Sequence, residues 1–267
     1  MAPFRNYIQN MRVDLKSKTS AGGMTMKTMI KTSRTLRLIG LMALVLMATG
    51  ISRADDAKGK DEALLRLQRA AAALHNLAAA PDKGIPDEVL DGTKCIAVVP
   101  NLTKAGFIFG AMHGRGVSTC RLAGGGWSAP AFFTITGGSW GAQIGVEDVH
   151  LVIMIMNNKG MRDLLNNKFQ IGASASASAG PVGRHASAGT DWRAETEMLT
   201  YSRSKGLFAG IDLSGSWIER DMDATEAFYG RDHSNTALLT GKVHPPLDAR
   251  VFLDEVSNVK TEAKREQ

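Results

Sequence analysis

The chain has 267 residues, 44% of them hydrophobic, and carries 32 Lys/Arg against 26 Asp/Glu for a formal net charge of +6. Residues 1–54 hold nine of those basic residues and one acidic one, which leaves 23 basic and 25 acidic in 55–267. Net charge therefore excludes a general nucleic-acid-binding reading of the main body, whose length suits one sizeable core.

The N-terminal part reads as a secretory leader. Lys27, Lys31, Arg34 and Arg37 precede the apolar run Leu38–Ile51, and Ser52-Arg53-Ala54 follows with an A-x-A-like end. A basic region, a short apolar region and small residues together predict cleavage after Ala54. The apolar run is too short for a comfortable bilayer span. Residues before Met24 read as an upstream spacer, and no Cys follows the apolar run to take a lipid anchor. The expected organisation is leader 1–54, helix and linker 55–85, and main domain 86–267. The expected location is periplasmic or outer-envelope.

The spacing of Leu64, Leu67, Ala71, Leu74 and Ala78 predicts a helix over Lys58–Ala79, with Glu62, Arg66 and Arg69 on the opposite side. Two of those five are Ala and none is aromatic. It suits packing on a sheet better than lying on a membrane. Pro86-Asp87-Glu88 begins a short helix through Leu90, and Cys95–Val99 is an apolar strand expected to stop at Pro100. Ala105–Arg115 reads as a strand apolar on both faces. Arg121–Gly126 is a glycine-rich turn.

Trp127–Gly145 (W-S-A-P-A-F-F-T-I-T-G-G-S-W-G-A-Q-I-G) organises the middle of the chain. Gly137-Gly138 between two apolar runs predicts a hairpin turn. Lys104–Val117 and Ser204–Trp217 have the same glycine-punctuated character. His150–Met156 is a further buried strand, and Asn158–Asn166 a short helix. The Ala/Ser alternation within Gln170–Thr190 suits a strand lined by small side chains. Glu197–Arg203, Leu207–Leu213 and Ser216–Arg220 complete the strands. Asp223 is expected to cap a helix through Tyr229. Ser234–Leu239 and Pro246–Val259 end the chain as helices, the last with Val251, Phe252 and Val256 on one side. The expected fold is α+β, a curved, mostly antiparallel sheet or partial barrel with helices packed around it.

Gly137-Gly138-Ser139-Trp140-Gly141 matches the nucleophile pattern G-x-S-x-G, and Asp212 with His233 or His244 has the right chain order. The residues after Gly141 read as strand, which opposes a serine hydrolase using Ser139. The six histidines show no ligand spacing, so no metal site and no cofactor is expected. Cys95 and Cys120 either pair in an oxidising compartment, closing a loop worth roughly 3.5 kcal/mol, or remain buried thiols. Lys104, Arg115, Lys168, Arg184, Arg203 and Lys205 recur beside the glycine strands. There they suit the phosphate oxygens of a lipid head group, or are scattered surface charges.

Several of these motifs occur together in one known family. G-W-S-A-P-A-F-F at Gly126–Phe133, G-G-S-W-G-A-Q-I-G at Gly137–Gly145 and M-N-N-K-G at Met156–Gly160 resemble the SYLF domain. So do A-G-P-V-G-R at Ala179–Arg184 and Y-S-R-S-K-G-L-F-A-G at Tyr201–Gly210, and the resemblance runs from about Asp87 to Tyr229. It implies a non-catalytic lipid-binding domain, phosphoinositide-binding and in part actin-binding in eukaryotic members that carry modules such as SH3. With its leader and no such module, this chain resembles an exported bacterial member. Its expected partner is anionic phospholipid or a membrane surface, not actin. Arg115, Arg184 and Arg203 lie within family-like motifs and are expected to matter more for binding than Arg66 and Arg69.

Overall fold

The structure is a computed structural model that describes residues 57–78, 84–181, 196–204, 207–209, 211 and 213–265, all within the unit Ser52–Gln267. The leader, the second half of the Ala/Ser-rich stretch, Arg184, Lys205 and Asp212 lie outside the described residues.

Helix α1 (57–78) forms where the three-and-four spacing placed it. Ala63, Leu67, Ala70, Ala73, Leu74 and Leu77 join the core beneath it, so the helix packs on the sheet. Each fully buried Leu contributes roughly 1.5–3 kcal/mol. The buried stripe is wider than expected and takes in Arg66, which is only 7% exposed. The short helix α2 (Asp87–Gly92) follows.

Strands β1 (Cys95–Cys120) and β2 (Ala131–Ile155) form one long antiparallel ribbon, in register from Cys95↔Ile155 to Ser118↔Ala131. Two expectations fail here. Pro100 does not end a strand; it lies at a register shift between Val99 and Leu102, where a missing N–H is tolerated. Gly137-Gly138 is not a turn either, because Gly137 pairs with Met112 and Gly138 with Ala111 in mid-strand. A side chain on Gly137 would meet Ser216 Oγ at 2.3 Å, so this glycine permits a close approach between strands. The actual reversal is at 121–127, where Gly125 and Gly126 adopt φ of 90° and 76°.

The ribbon doubles back on itself. Cys95 and Cys120, at opposite ends of β1, are joined by a disulfide. Arg121 N donates to Lys94 O at 2.8 Å, and Gly114 lies against Val99 and Leu102. The remaining elements are α3 (Asn158–Leu165), β3 (Lys168–Gln170), β4 (Ala177–Ala179), β5 (Met198–Ser204), β6 (Leu207–Ala209) and β7 (Trp217–Arg220). Then come α4 (Met222–Tyr229), α5 (Asn235–Leu239), a 3-10 turn at Leu247–Ala249 and α6 (Arg250–Arg265). The strand order is β3-β7-β2-β5-β4, with β1 on β2 and β6 on β5. Among the described strand pairs only β4–β5 is parallel. The architecture is therefore α+β with a curled, mostly antiparallel sheet, as the sequence predicts.

Both faces of the sheet carry a core. On one, Ile96, Val98, Val117, Phe132, Val152 and Tyr201 meet α1, α2, α4 and α6. On the other, the disulfide, Phe133, Ile135, Leu151 and Ile153 meet Leu164 of α3 and Leu238 and Leu239 of α5. Asp221, not Asp223, caps α4 by accepting from Ala224 N at 3.0 Å. On α6, Phe252 and Val256 are buried but Val251 is exposed. Among the described residues no helix is long and apolar enough to cross a membrane.

Candidate functional site: a basic cleft between α1 and β1

The helices cover their face of the sheet only part of the way. Val117 and Phe132, paired in register, lie beneath them, whereas Arg115 and His113, two and four residues earlier on β1, are exposed. At this boundary a cleft of about 430 Å³ opens between α1 and the doubled-back β1. Glu62, Leu65, Arg66 and Arg69 line it from the helix; Asn101, Thr103, His113 and Arg115 line it from the strand.

The three arginines differ in status. Arg66 is anchored, donating to Asp221 Oδ2 at 2.9 Å with its guanidinium 5.4 Å from the centre of the Phe132 ring. Burial pulls its pKa below the ordinary arginine value, and the Asp221 carboxylate opposes that shift. Arg115 is exposed and 3.7 Å from Glu62, a weak solvent-screened pair. Arg69 is exposed and has no ion pair among the described residues. Leu65, 42% exposed, adds an apolar patch to the same wall. The cleft thus offers two available guanidinium groups beside an apolar side chain, with a third cation fixed behind them.

This arrangement revises the expected ranking of charges. Arg115 shares one cleft with Arg66 and Arg69, so it cannot be contrasted with them as a set. The spacing on α1 puts Arg66 and Arg69 opposite the apolar stripe; what surrounds them comes from β1 and, for Arg66, from Asp221, far away in sequence. The other predicted residues do not gather here. Lys168 pairs with Glu219 at 3.1 Å and lies 5.3 Å from the Trp217 ring. Arg203 donates to Asn76 O at 2.8 Å, at the C-terminal end of α1 where a cation is favourable. Lys104 is half-buried on β1 opposite Glu147. Glu197 holds Lys159 of α3.

Ser139 lies within the β1–β2 ladder opposite Gly110. The backbone there makes no strand-to-helix turn, so the geometry of a nucleophile elbow is lacking. Among the described residues no group of three or more His, Cys, Asp or Glu is placed to hold a metal ion.

A family model described as Ysc84, Las17-binding protein actin regulator, matches residues 136–259, from the first part of β2 into α6. The chain carries a SYLF domain of the Ysc84 family. The SYLF chain is 34% identical over 189 residues to LAS seventeen-binding protein 3 of Saccharomyces cerevisiae, covering 66% of this chain and 41% of that protein. It is 34% identical over 172 residues to SH3 domain-containing YSC84-like protein 1 of Xenopus laevis, covering 64% and 51%. With Protein YSC84 of Saccharomyces cerevisiae it shares 36% identity over 168 residues, covering 62% and 36%. The matched region thus spans between 36% and 51% of these relatives' lengths. None of these descriptions is that of an enzyme. Every residue lining the cleft precedes residue 136, ahead of the segment matched by the family model.

Proposed function

We propose that this SYLF domain is a non-enzymatic lipid-binding module that recognises anionic phospholipid head groups at a bacterial envelope after export. The observation that carries this reading is the cleft between α1 and β1, where Arg69 and Arg115 flank the exposed Leu65. Guanidinium groups grip phosphate oxygens in pairs, and an apolar neighbour favours the glycerol and upper acyl region over free phosphate. Anionic phospholipid is the expected ligand because the exposed cations Arg69 and Arg115 outnumber the one exposed carboxylate of the cleft, Glu62, whose contact with Arg115 is loose at 3.7 Å. Co-sedimentation with vesicles decides the matter. Binding to phosphatidylglycerol-containing vesicles should exceed binding to phosphatidylcholine vesicles and fall as salt rises. Equal, background-level pelleting with both would overturn it.

A second reading has its own support. The family description names Las17 binding and actin regulation, which favours a protein-interaction module. Co-sedimentation with filamentous actin, with vesicles inert, would select that reading instead.

A further inference from the structure

The cleft shares its sheet face with an exposed tryptophan. Strand register places Trp217 of β7 beside Thr136 of β2, and Thr136 beside His113 of β1, which lines the cleft. Residues paired in register point to the same face, so the indole and the cleft look out from one side of the sheet. Two inter-strand steps put Trp217 about 10 Å from His113 along this row. Thr136 and His113 are exposed, and Trp217 is 40% exposed.

Strand β7 commits its aliphatic residue, Ile218, to the core and turns its largest apolar side chain outward. A cation accompanies that side chain. Lys168 Nζ lies 5.3 Å from the centre of the Trp217 ring and donates to Glu219 Oε2 at 3.1 Å. Both members of the Lys168–Glu219 pair are about half exposed, at 51% and 54%, so water and salt screen it. The long, flexible lysine stem leaves the ammonium free to turn from Glu219 to another anion.

We infer that this face lies against an anionic lipid surface, with Trp217 entering the head-group layer as a second point of contact while the cleft holds a phosphate. The inference rests on the head-group reading and extends it to Trp217 and Lys168, which lie outside the cleft. Three features select a lipid surface. An indole has an apolar body and one N–H donor, the combination that settles at a membrane–water boundary. The cations Arg69, Arg115 and Lys168 outnumber the carboxylates Glu62 and Glu219 that pair with two of them, which leaves this side net positive. Trp217 is the single apolar member of the row Gln170–Trp217–Thr136–His113, whereas a stable protein interface is built around an apolar centre. A hydrated head-group layer accepts one indole among polar neighbours. Because both contacts sit on one sheet, the second forms at the effective concentration set by the first and adds affinity to it.

Tryptophan fluorescence of the full chain tests this on phosphatidylglycerol/phosphatidylcholine vesicles in which part of the phosphatidylcholine carries bromine on its upper acyl chain. The chain has four tryptophans, so the Trp217 signal is the difference between wild type and Trp217→Phe. That signal should shift to the blue on vesicle addition and be quenched by the bromine. Trp217→Ala should weaken vesicle binding about tenfold through the lost apolar contact. Lys168→Glu should weaken it as well, by reversing the charge beside the indole. Vesicle binding with an unshifted, unquenched difference signal and unaltered affinity in Trp217→Ala would overturn this inference alone and leave the cleft as the whole contact. Failure of the wild type to bind anionic vesicles would overturn both it and the head-group reading. Loss of filamentous-actin co-sedimentation in Trp217→Ala, with vesicle binding unchanged, would assign the indole to a protein partner instead.

Discussion

Arg66 on α1 and Asp221 at the start of α4 are 155 positions apart in sequence and 2.9 Å apart in space. Asp221 Oδ2 takes the guanidinium while its Oδ1 caps α4 through Ala224 N, so one carboxylate ties two helices together above Phe132. Both partners are nearly buried, with side chains 7% and 12% exposed. Removing one leaves the other desolvated without its counter-charge.

Arg66→Ala should therefore cost about 3–5 kcal/mol of unfolding free energy, the usual result of breaking a buried pair from one side. Arg66→Met, which keeps the stem over Phe132, should recover part of the packing loss but not the charge loss. Urea denaturation of the two variants measures both. A loss below about 1 kcal/mol for Arg66→Ala would place the pair among ordinary surface contacts.

The paired glycines of β2 make a second prediction. Gly137→Ala should destabilise by roughly 1–3 kcal/mol, because its methyl group would lie 2.3 Å from Ser216 Oγ and 3.0 Å from Ser216 Cα. Gly138→Ala has open space and should be neutral or slightly stabilising through the unfolded chain. If Gly137-Gly138 were a hairpin turn needing positive φ, both substitutions would be costly. Melting temperatures of the two variants separate the cases.

That pair also shows where sequence reading stops. The helix over 57–78 is legible because its spacing alone defines a buried stripe, and the apolar runs Cys95–Val99 and His150–Met156 foretell a sheet with a core on each side; Ala105–Arg115, expected to be buried in the same way, instead leaves Ala105, Gly106, Ala111, His113 and Arg115 exposed because the helices stop short of it. A glycine that admits a neighbouring strand looks the same in sequence as one that turns the chain, so Gly137-Gly138 reads as a second reversal beside the true one, which the glycine-rich Arg121–Gly126 does announce. The cleft was half-visible: Arg115 stood out beside its glycines, but Arg66 and Arg69 read as solvated. Only the doubling back of β1 beneath α1 brings them together. Asp221 was passed over for Asp223 as a cap because either could precede the helix, and its tie to Arg66 is a tertiary fact.

The disulfide makes a third prediction. It closes a loop over the 25-residue separation of Cys95 and Cys120, worth roughly 3.5 kcal/mol in the chain-entropy account. Reduction, or the Cys95→Ala/Cys120→Ala variant, should lower unfolding free energy on that scale while the ribbon still forms from its ladder. Protein purified from an oxidising compartment should resist alkylation until reduced. Two freely alkylated thiols would show that the bond does not form there.

Asp163 on α3 should impose a pH-dependent cost. Burial raises its pKa above the ordinary 3.8, the nearby Lys159 opposes this, and Oδ2 has no hydrogen-bond partner. The folded state thus holds its proton to higher pH than the unfolded chain does. Its contribution is most favourable below the unfolded pKa and is lost as pH rises through the folded value. Asp163→Asn should accordingly stabilise the protein at pH 7 and give little or no gain near pH 4. Chemical denaturation of both proteins at the two pH values tests the sign, and an equal effect at both would refute it.

The last prediction concerns which arginines serve binding and which serve the fold. Arg69 and Arg115 are exposed in the cleft, and their only ion pair among the described residues is the loose 3.7 Å contact of Arg115 with Glu62. Replacing both by Ala should leave the melting temperature nearly unchanged, because exposed pairs contribute little. It should weaken binding to phosphatidylglycerol vesicles at least tenfold, about 1.4 kcal/mol, if both guanidinium groups reach phosphate. The dependence of affinity on salt should flatten with them. Arg203→Ala should behave in the opposite way. Its contact with Asn76 O holds the end of α1 to β5, so the melting temperature should fall while affinity per folded molecule stays close to the original. Glu62→Gln supplies a further check, since it removes the carboxylate that competes for Arg115 and should strengthen vesicle binding. Unchanged affinity in the Arg69/Arg115 double variant, with wild-type binding intact, would move the head-group site away from the cleft.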